Sequence, residues 1–124
     1  MPRKISKSSL TKKLDSAWSE LVKKRAGYKC EVCGKNQILN SHHYISRSNR
    51  QLRWFVQNGI CVCPGCHLFS NNSFHKNPVF GHFWMEENRW EDFQYITCKM
   101  NEIKKWTLVD MQELLDKLNE ELKS

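Results

Sequence analysis

The chain has 124 residues, 40% of them hydrophobic, with five tryptophans, six cysteines and a formal net charge of +7. That length fits one domain with an adequate but not generous core, so an internal staple would help it. No run of 18 apolar residues occurs, which argues against a membrane span, and the basic start MPRKISKSSLTKK has no apolar stretch behind it and does not read as a secretory signal.

In chain order, residues 1–8 are polar and basic and are expected to be a disordered tail ahead of a single domain at 9–124. From Ser9, the apolar residues Leu10, Leu14, Ala17, Trp18, Leu21 and Val22 recur every three or four positions, which predicts a helix over 9–27 with one buried face. Ser8 or Ser9 is the expected cap, with Asp15 a possible later start. Lys23, Lys24 and Arg25 suit the helix end, and Gly27 can close it. Residues 28–36 read as a metal-binding turn, 37–72 as two short strands and a helix, and RSNRQLRWFVQNG between the strands as a basic loop. Three helical segments are expected in 76–124. Pro78 suits the first helical position of one. Trp90, Phe93, Ile96 or Thr97, and Met100 have helical spacing in the next. The last follows Thr107, a cap with Asp110 in a weak capping-box position, and carries the stripe Leu108, Met111, Leu115, Leu118 and Leu122. The stripe is read as core, the alternative being a partner-facing surface.

Charge is distributed unevenly. Residues 1–29 carry net +7, residues 30–78 net +4 and residues 79–124 net −4. A basic half around the cysteine-histidine region suits a polyanion such as nucleic acid, and equally a solvated surface.

Four of the six cysteines form two C-x-x-C pairs, Cys30/Cys33 and Cys63/Cys66. Two intervening residues let two sulfurs converge from one tight turn, and Gly34 and Pro64-Gly65 suit such turns. Two pairs complete a tetrahedral four-sulfur zinc site, which is closed and therefore structural. Cys61 is read as a buried thiol and Cys98 as a packed residue on a C-terminal helix. With zinc satisfied by sulfur, the histidines of NSHHYIS and CPGCHLF, His42, His43 and His67, need another explanation.

The pattern Cys30, Cys33, His42, His43, Asn58, Cys63, Cys66 and His67 resembles the HNH endonuclease family, and most of the chain past residue 15 is similar to the phage NinG (Rap) recombination endonucleases. The resemblance implies an α+β fold, mainly helical, around a zinc-stapled ββα-metal core at 28–75. It implies a metal-dependent DNA endonuclease, a phosphodiester hydrolase, acting on phage recombination intermediates or branched DNA. The setting would be the cytoplasm of a phage-infected or prophage-carrying bacterial host. His43 falls at the general-base position, and His42 and His67 at ligand positions for a second, catalytic divalent ion. That ion is expected to be Mg²⁺, with Mn²⁺ or Ni²⁺ also accommodated. Asn71, one helical turn past His67, and His75 are further candidate ligands, and Asn58 is expected to hold the loop between the strands. Many relatives carry Asp where His42 stands. Arg47, Arg50 and Arg53, with Lys23, Lys24 and Arg25, are the candidate DNA contacts, since guanidinium matches phosphate oxygens with paired hydrogen bonds. Trp54 and Phe55 are read as packing residues, the alternative being stacking on unpaired bases. His82 is read as an ordinary partly buried histidine. The rival class is a non-catalytic zinc-ribbon nucleic-acid binding module, which needs neither His43 nor Asn58 nor His67. A third reading is a small packaging or regulatory protein that docks through its C-terminal helices.

Overall fold

The structure, a computed structural model, describes residues 6–69 and 73–124. Helix α1 (Lys7–Arg25) is capped by Ser6, whose hydroxyl accepts from the Ser9 N–H at 3.1 Å. It therefore begins two residues earlier than its periodicity suggests. The apolar stripe alone sets the expected start, and a polar first turn adds no hydrophobic signal. Gly27 and Tyr28 follow with positive φ, and their N–H groups bond back to the carbonyls of Lys24 and Lys23.

Strands β1 (Asn40–His43) and β2 (Gly59–Val62) pair antiparallel, with His43 opposite Gly59 and His42 opposite Ile60. Side chains alternate across a strand, so this register sorts the hairpin into two faces. Ser41, His43, Gly59 and Cys61 face α1. The Ser41 hydroxyl bonds to Ser19, and a Cβ on Gly59 would stand 2.2 Å from Val22 Cγ2 and 2.9 Å from Trp18 Cζ2. Glycine is thus what lets α1 sit flat on the sheet. Ile60 and Val62 face the other way, into a second apolar cluster.

Helices α2 (Pro78–Asn88) and α3 (Trp90–Lys99) enclose that second cluster, in which Leu52, Ile60, Val62, Phe74, Met85 and Ile96 are buried. They meet at Arg89, whose guanidinium bonds to Glu31, Asp92 and the carbonyls of Gly59 and Gln57. Helix α4 (Leu108–Lys123) starts with a complete capping box between Thr107 and Asp110 and lays Met111, Leu115 and Leu118 against the buried face of α1. The C-terminal stripe is core at these three positions. Cys61 is buried in the same cluster, and burial with Glu31 beside it pushes its thiol up to about 11. Cys98, expected to pack, is exposed: α3 buries only Ile96, and Cys98 lies off that face. The result is a mixed fold, mostly helical with one two-stranded sheet. Among the described residues, no helix is long and apolar enough to cross a membrane.

Candidate metal centre and histidine cleft

Cys30, Cys33, Cys63 and Cys66 converge, with their four sulfurs within 4.8 Å of one another and Cys33 Sγ 3.5 Å from Cys63 Sγ. Sulfurs around one tetrahedral zinc lie ~3.8 Å apart, from Zn–S bonds of ~2.3 Å, so the donor set fits a structural metal such as zinc. The first pair sits in a turn closed by N–H bonds from Gly34 to the Cys30 carbonyl and from Cys30 to the Lys35 carbonyl, with Gly34 at φ +82°. Burial raises the Cys30 thiol, but backbone N–H groups of Cys33 and Cys63 outweigh this and bring it down to about 7. Burial and the surrounding sulfurs push Cys66 up, and Cys33 is raised as well, so only a bound ion would make thiolates of the whole set.

Around Cys66 the chain makes one wide helical turn, Gly65–Phe69, and Phe74 and His75 lie alongside it. The Phe74 N–H bonds to the Cys66 carbonyl and the His75 N–H to the His67 carbonyl. This pairing brings His75 onto His67, with their Nε2 atoms 3.1 Å apart. His42, on the β1 face away from α1, completes the group: its ring centroid is 4.9 Å from that of His67 and 5.0 Å from that of His75. One nitrogen from each lies within 4.8 Å of the others, so the three could hold a metal ion. His67 Nδ1 is buried and has no hydrogen-bond partner among the described residues. Burial, then the neighbouring His67 and His75, push His42 down to about 3, and burial with His75 lowers His67. Both are neutral near pH 7, with lone pairs available. Of the two weaker ligand candidates, the structure brings His75 into the group, and Asn71 lies outside the described residues.

His43 points to the opposite side of the strand. Its ring stacks on Trp18, centroids 3.9 Å apart and planes 8° from parallel, and its Nε2 lies 2.9 Å from the Arg53 carbonyl oxygen. A carbonyl only accepts, so the proton of the neutral ring sits on Nε2 and the lone pair on Nδ1. Burial lowers the pKa of His43. The Arg53 carbonyl and Asp15 oppose that, and the cations Arg53 and Arg47 add to it. Asn58 is fully buried and holds the 44–58 loop as a backbone would: its Oδ1 accepts from the Ile45 N–H at 2.7 Å, and its Nδ2 donates to the carbonyls of Ile45 at 2.9 Å and Leu52 at 3.4 Å. An open cleft of about 620 Å³ is lined by His42, His43, His67 and His75 together with Tyr44 and Arg47.

Several basic residues are already engaged. Arg53 makes a bidentate pair with Asp15, at 3.0 and 2.8 Å, and Asp15 also accepts from Trp54 Nε1 at 2.7 Å. Lys24 donates to the carbonyls of Glu121, Leu122 and Ser124, closing the end of α4. Arg25 bonds to the Val56 carbonyl and to Asp92, and Lys23 lies 3.9 Å from Glu20. Arg53, Lys24 and Arg25 thus bridge separate parts of the fold, whereas the Lys23 pair stays within α1. Arg47, at the cleft, and Arg50 make no ion pair among the described residues. Trp54 packs in the α1–α4 cluster and Phe55 beside the second one. His82 is exposed and paired with Glu86 at 2.5 Å. The Trp18 stack, Asp15 and the Arg89–Glu31 pair carry no motif, and only the burial of Trp18 on its helix face hinted at any of them.

Comparison with protein-family models, with curated proteins and with solved structures returned no match.

Proposed function

We propose that the chain is a metal-dependent DNA endonuclease of the HNH, ββα-metal type. One observation supports the reading: adjacent histidines on one short strand face opposite sides and have different neighbours. His42 joins His67 and His75 in a group that could hold a metal ion, while His43 lies apart with its Nε2 tied to a carbonyl and its Nδ1 without a hydrogen-bond partner among the described residues. A surface histidine pair, or a plain zinc ribbon, needs neither arrangement.

In the reaction, His43 Nδ1 takes a proton from a water molecule as the water oxygen bonds to phosphorus. The bond from phosphorus to the 3′ oxygen breaks, leaving a 5′-phosphate and, after protonation from solvent, a 3′-hydroxyl. Trp18 and the Arg53 carbonyl hold the imidazole in one orientation and one tautomer, which keeps the base pre-set. Arg47 offsets charge that builds on the phosphate oxygens. A divalent ion held by His42, His67 and His75 would supply Lewis-acid stabilisation of the phosphate and of the leaving oxygen. Mg²⁺ is the expected ion, and three imidazoles would also favour Mn²⁺ or Ni²⁺. The four cysteines would hold a structural zinc, and a bound ion there would anchor Cys66 and so the neighbouring His67. The test is incubation of zinc-loaded protein with supercoiled plasmid and Mg²⁺, Mn²⁺ or Ni²⁺. Metal-dependent nicking is expected; absence of nicking with every ion would leave a non-catalytic nucleic-acid binding module.

A further inference from the structure

A second cavity, of about 260 Å³, lies outside the histidine cleft and is lined by Lys7, Ser8, Thr11, Arg50, Arg53, Trp54, Trp106 and Met111. Four separate parts of the chain build it: the start of α1, the 50–54 loop, the segment before α4, and α4 itself. Trp54 and Trp106 meet edge to face, 5.2 Å between centroids, and Trp106 Nε1 is fixed to the Arg50 carbonyl at 2.9 Å. Lys104 lies over the Trp106 ring at 5.1 Å.

Its charge is one-sided. Three cations line it and no carboxylate does. Arg53 is neutralised by Asp15, but Lys7 and Arg50 make no ion pair among the described residues. The cleft on the Arg89 side is the opposite case: Glu31, Glu87, Glu91 and Asp92 line it beside Arg25 and Arg89. Uncompensated cations around a concave, partly apolar wall attract a polyanion and hold its phosphates. Arg53 also links the two cavities, because its carbonyl fixes His43 while its side chain lines this second one.

We propose that this cavity is an accessory site for a backbone phosphate of the nucleic-acid strand, held by Lys7 and Arg50 against the two indoles. The loop carrying Arg47 and Arg50 would then guide one strand from the histidine cleft to this cavity. The choice of nucleic acid over other phosphate carriers rests on the endonuclease reading above, whereas the phosphate chemistry does not.

Both indoles line the cavity, and their N–H groups, held by Asp15 and by the Arg50 carbonyl, sense changes beside it. Zinc-loaded, ¹⁵N-labelled full-length protein is titrated, without added divalent ion, with a 5′-phosphorylated thymidine tetranucleotide. The Trp54 and Trp106 indole resonances should shift saturably, while that of Trp90, in the Arg89-side cleft, stays put. Inorganic phosphate should move the same two resonances more weakly. In Lys7→Ala/Arg50→Ala the affinity should fall about tenfold and the slope of log K against log salt should shrink by about 0.7, the single-strand value for one phosphate. This variant should still fold, because the backbone carbonyl of Arg50, not its side chain, holds Trp106; matching zinc content and thermal unfolding check this. Static indoles, or shifts that survive in the folded double variant, would overturn the site. Equal shifts from an uncharged methylphosphonate tetranucleotide would overturn the phosphate assignment. The plasmid assay separates the two ideas: nicking without an indole response removes this site alone, and an indole response without nicking removes the nuclease alone.

Discussion

The cysteine corner and the histidine cleft are neighbours in sequence, since Cys66 and His67 are adjacent, yet they are built on opposite principles. The corner brings together four identical soft donors from two tight turns, with Cys30 and Cys63 buried. Such a set saturates a tetrahedral ion and leaves nothing for a substrate. The cleft brings together three imidazoles from a strand, a helical turn and the segment paired with that turn, and it opens to solvent beside Arg47. Three nitrogen donors leave positions on an ion for water and phosphate oxygens. The difference teaches that a closed site can serve as the footing for an open one: the sulfurs fix Cys66, and with it the place of His67.

The sharpest break in this comparison is at the corner. Cys30→Ser should abolish the cooperative thermal unfolding transition and stoichiometric zinc binding together, because metal binding of this kind is itself folding free energy. A variant that keeps its melting transition without zinc would show that the corner is not the footing.

Asn58→Ala tests the span between the two sites. It removes both ends of a buried amide that spans the loop and leaves the Ile45 N–H and carbonyl unpaired, so denaturant unfolding should show a loss of about 2–4 kcal/mol with zinc content unchanged. A loss within measurement error would mean that the loop is held by other contacts.

His75→Ala sharpens the cleft side. The Mn²⁺ concentration for half-maximal nicking should rise at least about tenfold while zinc content stays at one equivalent. Equal Mn²⁺ dependence in wild type and variant would take His75 out of the ligand set.

The smallest expected effect concerns Asp15, which pairs with Arg53 behind His43. Burial alone would raise its carboxyl, but the hydrogen bonds from Arg53 and Trp54 outweigh this and lower it. A lowered folded-state pKa contributes stability that is present above the unfolded value near 3.8 and is lost as pH falls through the folded value. Asp15→Asn should therefore flatten the acid side of the stability profile and cost about 1 kcal/mol or less near pH 7, since the pair is partly exposed. Parallel profiles for wild type and variant down to the acid limit would contradict this.

The two C-x-x-C pairs, the Pro78 helix start and the Thr107 cap were legible because each is a local spacing rule. Asn58 was legible only through the resemblance to a family pattern, and its hydrogen bonds reach 13 residues along the chain. His75 was harder to place. Its N–H pairs with the His67 carbonyl eight residues back, a backbone pairing that spacing along a helix does not describe. The commitments of Lys24, Arg25 and Arg53 were not legible at all, since their partners lie 31 to 100 residues away. Charge in a sequence shows that a cation exists, and only tertiary structure shows whether it has been used.

The central claim is that His43 works as a base while its neighbour His42 works as a ligand, and one comparison reaches it most directly. Plasmid nicking is measured for wild type and His43→Ala at equal zinc content, equal DNA affinity and saturating Mn²⁺. The account predicts that the variant loses about 10²–10⁴-fold in rate while Mn²⁺ still binds with near-normal affinity. Near-wild-type nicking, or loss of Mn²⁺ binding in step with loss of nicking, would contradict the split between the two histidines.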